Sequence, residues 1–221
     1  MGIEWLPFVE DNKKNEIEVQ LALQCAPVIT GVKVSNLFTV SEGIKAQVKE
    51  LFRSSIYSIL ELISINGKVT YLIYHSKELE RLIMTEEIAE FMNRKGYETT
   101  NLVKVLRIFK NKYQKCLLRN EEFPHEMGIL LGYPIEDVKS FIENHGQNYL
   151  YAGYWKVYHN LLYALAEFDK YDKAREFIKG LIREEIDLKE ILQICEQMQN
   201  VHELKTDTIN SVLMFPKITF R

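Results

Sequence analysis

The chain has 221 residues, 47% hydrophobic and 27% charged, the make-up of an ordinary globular protein long enough to bury a substantial core. A formal charge of -3 and a pI near 6.0 exclude whole-surface attraction to nucleic acid or anionic membrane, which draws on a broad excess of Lys and Arg. No stretch reaches ~18 consecutive apolar residues, so no membrane span is expected.

The first residues, MGIEWLPFVEDNKKNE, carry early acids and no apolar run of signal-peptide length, and no hydroxyl residue stands at the myristoylation position after Gly2. A cytoplasmic protein is expected. Its three cysteines, Cys25, Cys116 and Cys195, are far apart and form no CxxC pair, so buried thiols are a simpler reading than a zinc ribbon or a redox dithiol.

Residues 15–25 have apolar residues at helical spacing, and Pro27 ends that helix. SNLFTVS, 35–41, is short, β-branched and aromatic, and reads as a strand. Over 44–63 the stripe Ile44, Val48, Leu51, Phe52, Ile56, Ile59, Leu60 and Ile63 predicts one long amphipathic helix. INGK, 65–68, supplies an Asn-Gly turn into the strand 69–76. Helices over 77–84 and 85–95 follow, with Thr85 as a cap between them and Gly96 as the stop.

The segment 101–118, NLVKVLRIFKNKYQKCLL, buries Leu102, Val105, Leu106, Phe109, Tyr113 and Cys116 on one helical side. Lys104, Arg107, Lys112 and Lys115 fall on the other. This is the strongest charge asymmetry in the chain. Its plain explanation is a solvated face, or one paired with acids from elsewhere; its functional one is a seat for an anionic small molecule, an acidic partner protein or, with less support, nucleic acid.

In YLYAGYWKVYH, 149–159, alternation sends Tyr149, Tyr151, Trp155 and Val157 to one face and Leu150, Tyr154 and Tyr158 to the other, with Gly153 at a bulge or close approach. A central strand is predicted there. Helices over 160–184 and 187–198 form a hairpin, the second opened by Asp187 with Glu190 at capping-box spacing, and SVLMFPKITF near the end suggests an edge strand. The expected fold is a helix-rich α+β domain over 1–198 with a small sheet of three or four strands, followed by a tail, 199–221.

Between these elements lies HEMGILLGYPIEDVKSFIENHG, 125–146. It opens like the zinc-protease motif HExxH, in which two imidazoles one helical turn apart share a metal, but Ile129 stands where the second ligand belongs. No metal site is assigned. The same stretch has the marks of a helix-turn-helix: Gly128 where two helices would cross, Gly132 at the turn, Val138 six residues on to seal the pair, and Leu131 and Phe141 around them. An αα corner is expected. Its second helix offers Glu136, Asp137 and Glu143 against Lys139 and has no Arg, Asn or Gln near its start to read base edges, so a structural corner is favoured over a DNA reader. Glu136 and Asp137 suit the first turn of a helix, with Pro134 at its first position.

CAPVITGVK, NLF, the 125–146 stretch and the following GYWKVY together resemble a bacterial family catalogued as a domain of unknown function, number 3793, found largely in anaerobes. The resemblance spans roughly residues 20–185 and is densest over 125–158. It implies one globular domain and carries over no reaction, ligand or catalytic residue.

Cys25, at the C-terminal pole of a helix, lacks the electropositive setting of a nucleophilic thiolate. His125 with Tyr154 and its neighbours would suit a haem or aromatic pocket, though buried aromatics and backbone-bonded histidines explain the same residues. No phosphate-binding, dinucleotide-binding or nucleophile-elbow motif is present. The reading the sequence favours is a non-catalytic ligand- or partner-binding, regulatory domain working through His125, Glu126, Tyr154 and Trp155 together with Lys104, Arg107, Lys112 and Lys115. Its alternatives are a DNA-binding regulator and an enzyme or haem-handling protein using Cys25, His125 and the Tyr/Trp strand. No cofactor can be named.

Overall fold

The computed structural model describes residues 16–53 and 55–213, with side chains through residue 200. Strands β1 (Ser35–Ser41), β2 (Tyr57–Ile65) and β3 (Lys68–His75) make an antiparallel sheet in the order β1-β3-β2. Asn66 and Gly67, at φ of 51° and 69°, join β2 to β3 in the primed turn geometry whose twist matches that of paired strands.

Helices cover both faces of this sheet. Phe38, Val40, Tyr71 and Ile73 pack on one side against α1 (Glu16–Gln24), α2 (Ala26–Ile29) and α3 (Lys45–Phe52). The ends of α9 (Leu161–Arg183) and α10 (Leu188–Leu213) close that layer through Ile178, Ile182, Leu188 and Ile191. On the other side Leu37, Leu62 and Leu72 meet α4 (Ser76–Ile83), α5 (Glu86–Arg94), α6 (Leu102–Arg119), α7 (Met127–Leu130) and α8 (Ile135–Glu143). Each fully buried side chain of this size contributes roughly 2 kcal/mol of transfer free energy, so the two layers are the main source of stability. The helix-rich α+β fold is the one the sequence predicts.

Several boundaries also agree with local chemistry. Asn101 accepts a hydrogen bond from the Lys104 amide at 3.2 Å, Asn160 from Tyr163 at 3.3 Å and Asp187 from Glu190 at 2.8 Å, each satisfying an amide that a helix start would leave unpaired. Gly96, at φ 82°, follows the end of α5.

Several predicted elements are corrected. The long helix over 44–63 is a short helix, α3, followed by strand β2. A strand buried on both faces loses its polar-apolar alternation, and the shift in β2 pairing between Glu61 and Ile63 disturbs what periodicity is left; the residues then also satisfy a helical stripe. The central strand over 149–159 is a small hairpin, β4 (Tyr151–Ala152) paired with β5 (Lys156–Val157), outside the main sheet. A Cβ on Gly153 would collide with the Phe168 ring, so the chain turns back there against α9. Backbone helix α10 continues to Leu213, well past the predicted end at 198. Residues 211–213 of the suggested edge strand belong to it, and the rest of that stretch lies outside the described residues.

Candidate functional site

The site begins with a contact that glycine alone permits. A Cβ on Gly128 would lie 2.7 Å from Val138 Cγ2, so α7 and α8 cross with backbone against side chain. Gly132, at φ 76°, reverses the chain between them. The expected αα corner is therefore present. Pro134 occupies the N-cap of α8, one residue earlier than the first helical position expected for it.

Asp137 is the main departure from expectation. It does not face solvent: only 3% exposed, it points from α8 into the β4–β5 hairpin. Its Oδ2 accepts from Trp155 Nε1 at 2.7 Å, and its Oδ1 from the Tyr158 and His159 amides at 2.8 and 2.9 Å. Three donors on one buried carboxylate hold the hairpin against the helical corner. Trp155 in turn stacks on Tyr133 at 5.3 Å between ring centroids and meets Phe168 of α9 edge-on at 4.5 Å.

Between the corner and the hairpin lies an apolar cleft of about 290 Å³, lined by Phe123, Leu131, Tyr133, Val138, Phe141 and Trp155, with His125, Asp137 and Lys156 among its polar residues. Asp137 is already engaged, and Lys156 Nζ donates to the Gly146 carbonyl at 2.6 Å while lying 4.8 Å over the Tyr149 ring. His125 stands between Phe123 and Phe141, at 5.4 and 5.3 Å, and its ring nitrogens have no hydrogen-bond partner among the described residues. Burial pushes the Tyr133 hydroxyl up to about 12, so it stays neutral near pH 7.

A second, polar cleft of about 230 Å³ adjoins the first and shares Phe123 and His125 with it. Glu126, 5% exposed, lines it and pairs with Lys112 at 3.1 Å. Lys112 also donates to the Lys95 carbonyl at 2.6 Å and lies 4.4 Å from the Tyr97 ring. Burial, with the Glu126 charge added, pushes the Tyr97 hydroxyl far above its ordinary range.

Of the residues singled out by sequence, His125, Glu126, Trp155 and Lys112 meet at these clefts. Tyr154 does not: its hydroxyl donates to Asp172 of α9, its ring is 5.4 Å from Phe168, and burial is the first cause pushing it up to about 12. Lys104 pairs with Glu98 beside its own helix, while Arg107 and Lys115 are exposed and line neither cleft. Cys25 sits in the core layer on the opposite face of the sheet from the α7–α8 corner, where burial pushes its thiol up to about 12. Near it Lys33, 7% exposed, donates to Asn36 at 2.8 Å and lies 5.5 and 5.9 Å from the Tyr133 and Tyr171 rings. Burial pulls Lys33 down to about 8.

The residues that sequence reasoning misses here are Phe123, Tyr133, Lys156 and the inward role of Asp137. An indole N–H buried at Trp155 requires an acceptor, and that requirement is the signal that points to a nearby acid.

A family model matches residues 21–192, more than three quarters of the chain, taking in the main sheet and both clefts. The chain belongs to the family described as Protein of unknown function (DUF3793). No curated protein and no solved structure matches it. In this DUF3793 member, no helix among the described residues is long and apolar enough to cross a membrane, and none of their His, Cys, Asp and Glu side chains gather in threes as a metal would require.

Proposed function

We propose that this DUF3793 protein is a non-catalytic ligand-binding domain whose site is the apolar cleft between the α7–α8 corner and the β4–β5 hairpin. One observation carries the reading: aromatic and aliphatic side chains enclose about 290 Å³ in which the polar groups are few and mostly committed to the protein itself. A cavity of about 150 Å³ is enough for benzene, so this volume suits one or two fused rings. Asp137 fixes Trp155, which makes the wall rigid before a ligand arrives and lowers the ordering cost of binding.

Charge favours this reading over a nucleic-acid seat. Lys104 and Lys112 already face carboxylates, Lys139 on α8 pairs with Glu87, and Glu136 and Glu143 would repel phosphates. A nucleophilic role for Cys25 gains nothing from a thiol that burial keeps protonated and that lies across the sheet from His125.

Titration with indole followed by amide NMR tests the proposal. Saturable shifts at Gly128, Leu131 and the Trp155 indole N–H are expected, weakened severalfold by Phe141→Ala. Shifts that stay linear in ligand, or that spread over the whole protein, would sink it.

A further inference from the structure

The polar cleft extends the proposed site, because Phe123 and His125 form a wall common to both clefts. The far side of this wall carries a set of charged groups: Glu126, Glu121 and Glu122, with Lys95 and Lys112. The balance of donors and acceptors there is uneven. Lys112 is committed to Glu126 Oε1, to the Lys95 carbonyl and to the Tyr97 ring. Glu126 keeps its Oε2 without a hydrogen-bond partner among the described residues, although the residue is only 5% exposed. Glu121 and Glu122 are exposed and enter no ion pair among the described residues, leaving the exposed Lys95 as the free opposing charge.

An incoming anion would meet three carboxylates against two ammoniums, a net charge of -1, and one of the two, Lys112, is already in use. An incoming cation would meet the free oxygen of a buried carboxylate, two further acids and the Phe123 ring, whose face favours positive charge. We propose that the occupant is an aryl-alkyl amine, its ring in the apolar cleft and its ammonium against Glu126 across the His125–Phe123 wall. This assignment rests on the apolar cleft being a binding site. Glu126 is then the specificity residue, since Lys112 engages only its Oε1 and the Oε2 left over can be used by a ligand that brings a donor and not by one that lacks it.

Calorimetric titration of the full chain with tryptamine, ethylindole and indolepropionate, which share a ring and differ in charge, tests it. Tryptamine should bind about tenfold more tightly than ethylindole, and indolepropionate more weakly than both. Glu126→Gln should reduce tryptamine to the level of ethylindole while ethylindole is unchanged. The double variant Glu121→Gln with Glu122→Gln, altering exposed residues that leave folding alone, should cost tryptamine severalfold in low salt. Ethylindole binding with no preference for tryptamine, or a preference that survives both sets of substitutions, overturns the amine assignment and leaves the cleft standing. Failure of all three probes to bind overturns both.

Discussion

Asp137 on α8 and Trp155 in the hairpin turn, 18 residues apart, share a 2.7 Å hydrogen bond in which both partners are buried. The same carboxylate takes two backbone amides, so Asp137→Ala would orphan three donors at once. With each buried unsatisfied donor costing about 1 to 3 kcal/mol, and water recovering part of that, a net loss of roughly 3 kcal/mol is expected. Asp137→Asn, which keeps one acceptor oxygen, should lose less. Urea unfolding measures both; a loss under about 1 kcal/mol for the alanine variant would show that the clamp is not what holds the hairpin.

That pairing also shows where sequence stops being informative. Locally, Asp137 is an acid in the first turn of a helix, a place that carboxylates occupy for the helix dipole alone, and nothing within a turn of it names Trp155. Lys112 reads as part of a basic stripe for the same reason, its partner Glu126 lying in another element. What was legible depended on short-range chemistry. Gly128, Gly132 and Val138 mark the αα corner because the crossing itself requires them, and Asp187 marks a helix start that the structure keeps. Strand β2 shows the limit of periodicity: apolar side chains on both faces fit a helical stripe as well as a strand. The two-residue Asn66-Gly67 link to β3 is the feature that separates them, since it joins paired strands and does not follow a helix into one.

Gly128 and Val138 should be energetically coupled. A Cβ on residue 128 meets Val138 Cγ2 at 2.7 Å, inside any ordinary contact, and the neighbour is a short side chain fixed in a helix. Gly128→Ala is expected to destabilise by about 1 to 3 kcal/mol through overpacking, despite alanine's better helix propensity. Val138→Ala alone should also cost stability by opening a gap. In the double variant the two losses should fall short of their sum by ~1 kcal/mol, because the new methyl fills space that valine vacates. Additive losses in a double-mutant cycle would mean that the helices do not cross at this point.

The thiols should differ sharply in access. Cys25 and Cys195 are buried, and burial pushes them up to about 12 and about 11, so neither offers appreciable thiolate near neutrality. Cys116, on α6, is partly exposed. With a thiol reagent at pH 7.5 (roughly neutral), native protein should label quickly at one position and at three only after unfolding, as read by intact mass. Rapid native labelling of Cys25 would reopen the case for it as a nucleophile.

Lys33 carries a pH signature that follows from its burial. Its amine is pulled down to about 8 by loss of hydration, against an unfolded value of ~10.4. Below about 8 the group is charged in both states, and burying that charge opposes folding in full. Between the two values the unfolded chain binds more protons than the folded one, so this group's contribution to stability rises with pH, by at most about 1.4 kcal/mol per unit. Its neighbours act in the other direction: the Cys25 thiol and the Tyr133 and Tyr171 hydroxyls are all pushed up, so they subtract stability once pH passes their ordinary values. Comparing wild type with Lys33→Met cancels the tyrosine terms, and the Cys25 term changes only by the charge that Lys33 lends it, which pushes the thiol further up once removed. The variant keeps most of the length of the side chain, loses the bond to Asn36 and the contacts with both tyrosine rings, and removes the buried charge. Its stability relative to wild type should be highest at pH 7 (roughly neutral) and decline as pH climbs past about 8. A difference that stays flat across that range in urea titrations would show that Lys33 keeps its ordinary affinity for the proton, and that the tyrosine pair and Asn36 compensate its burial completely.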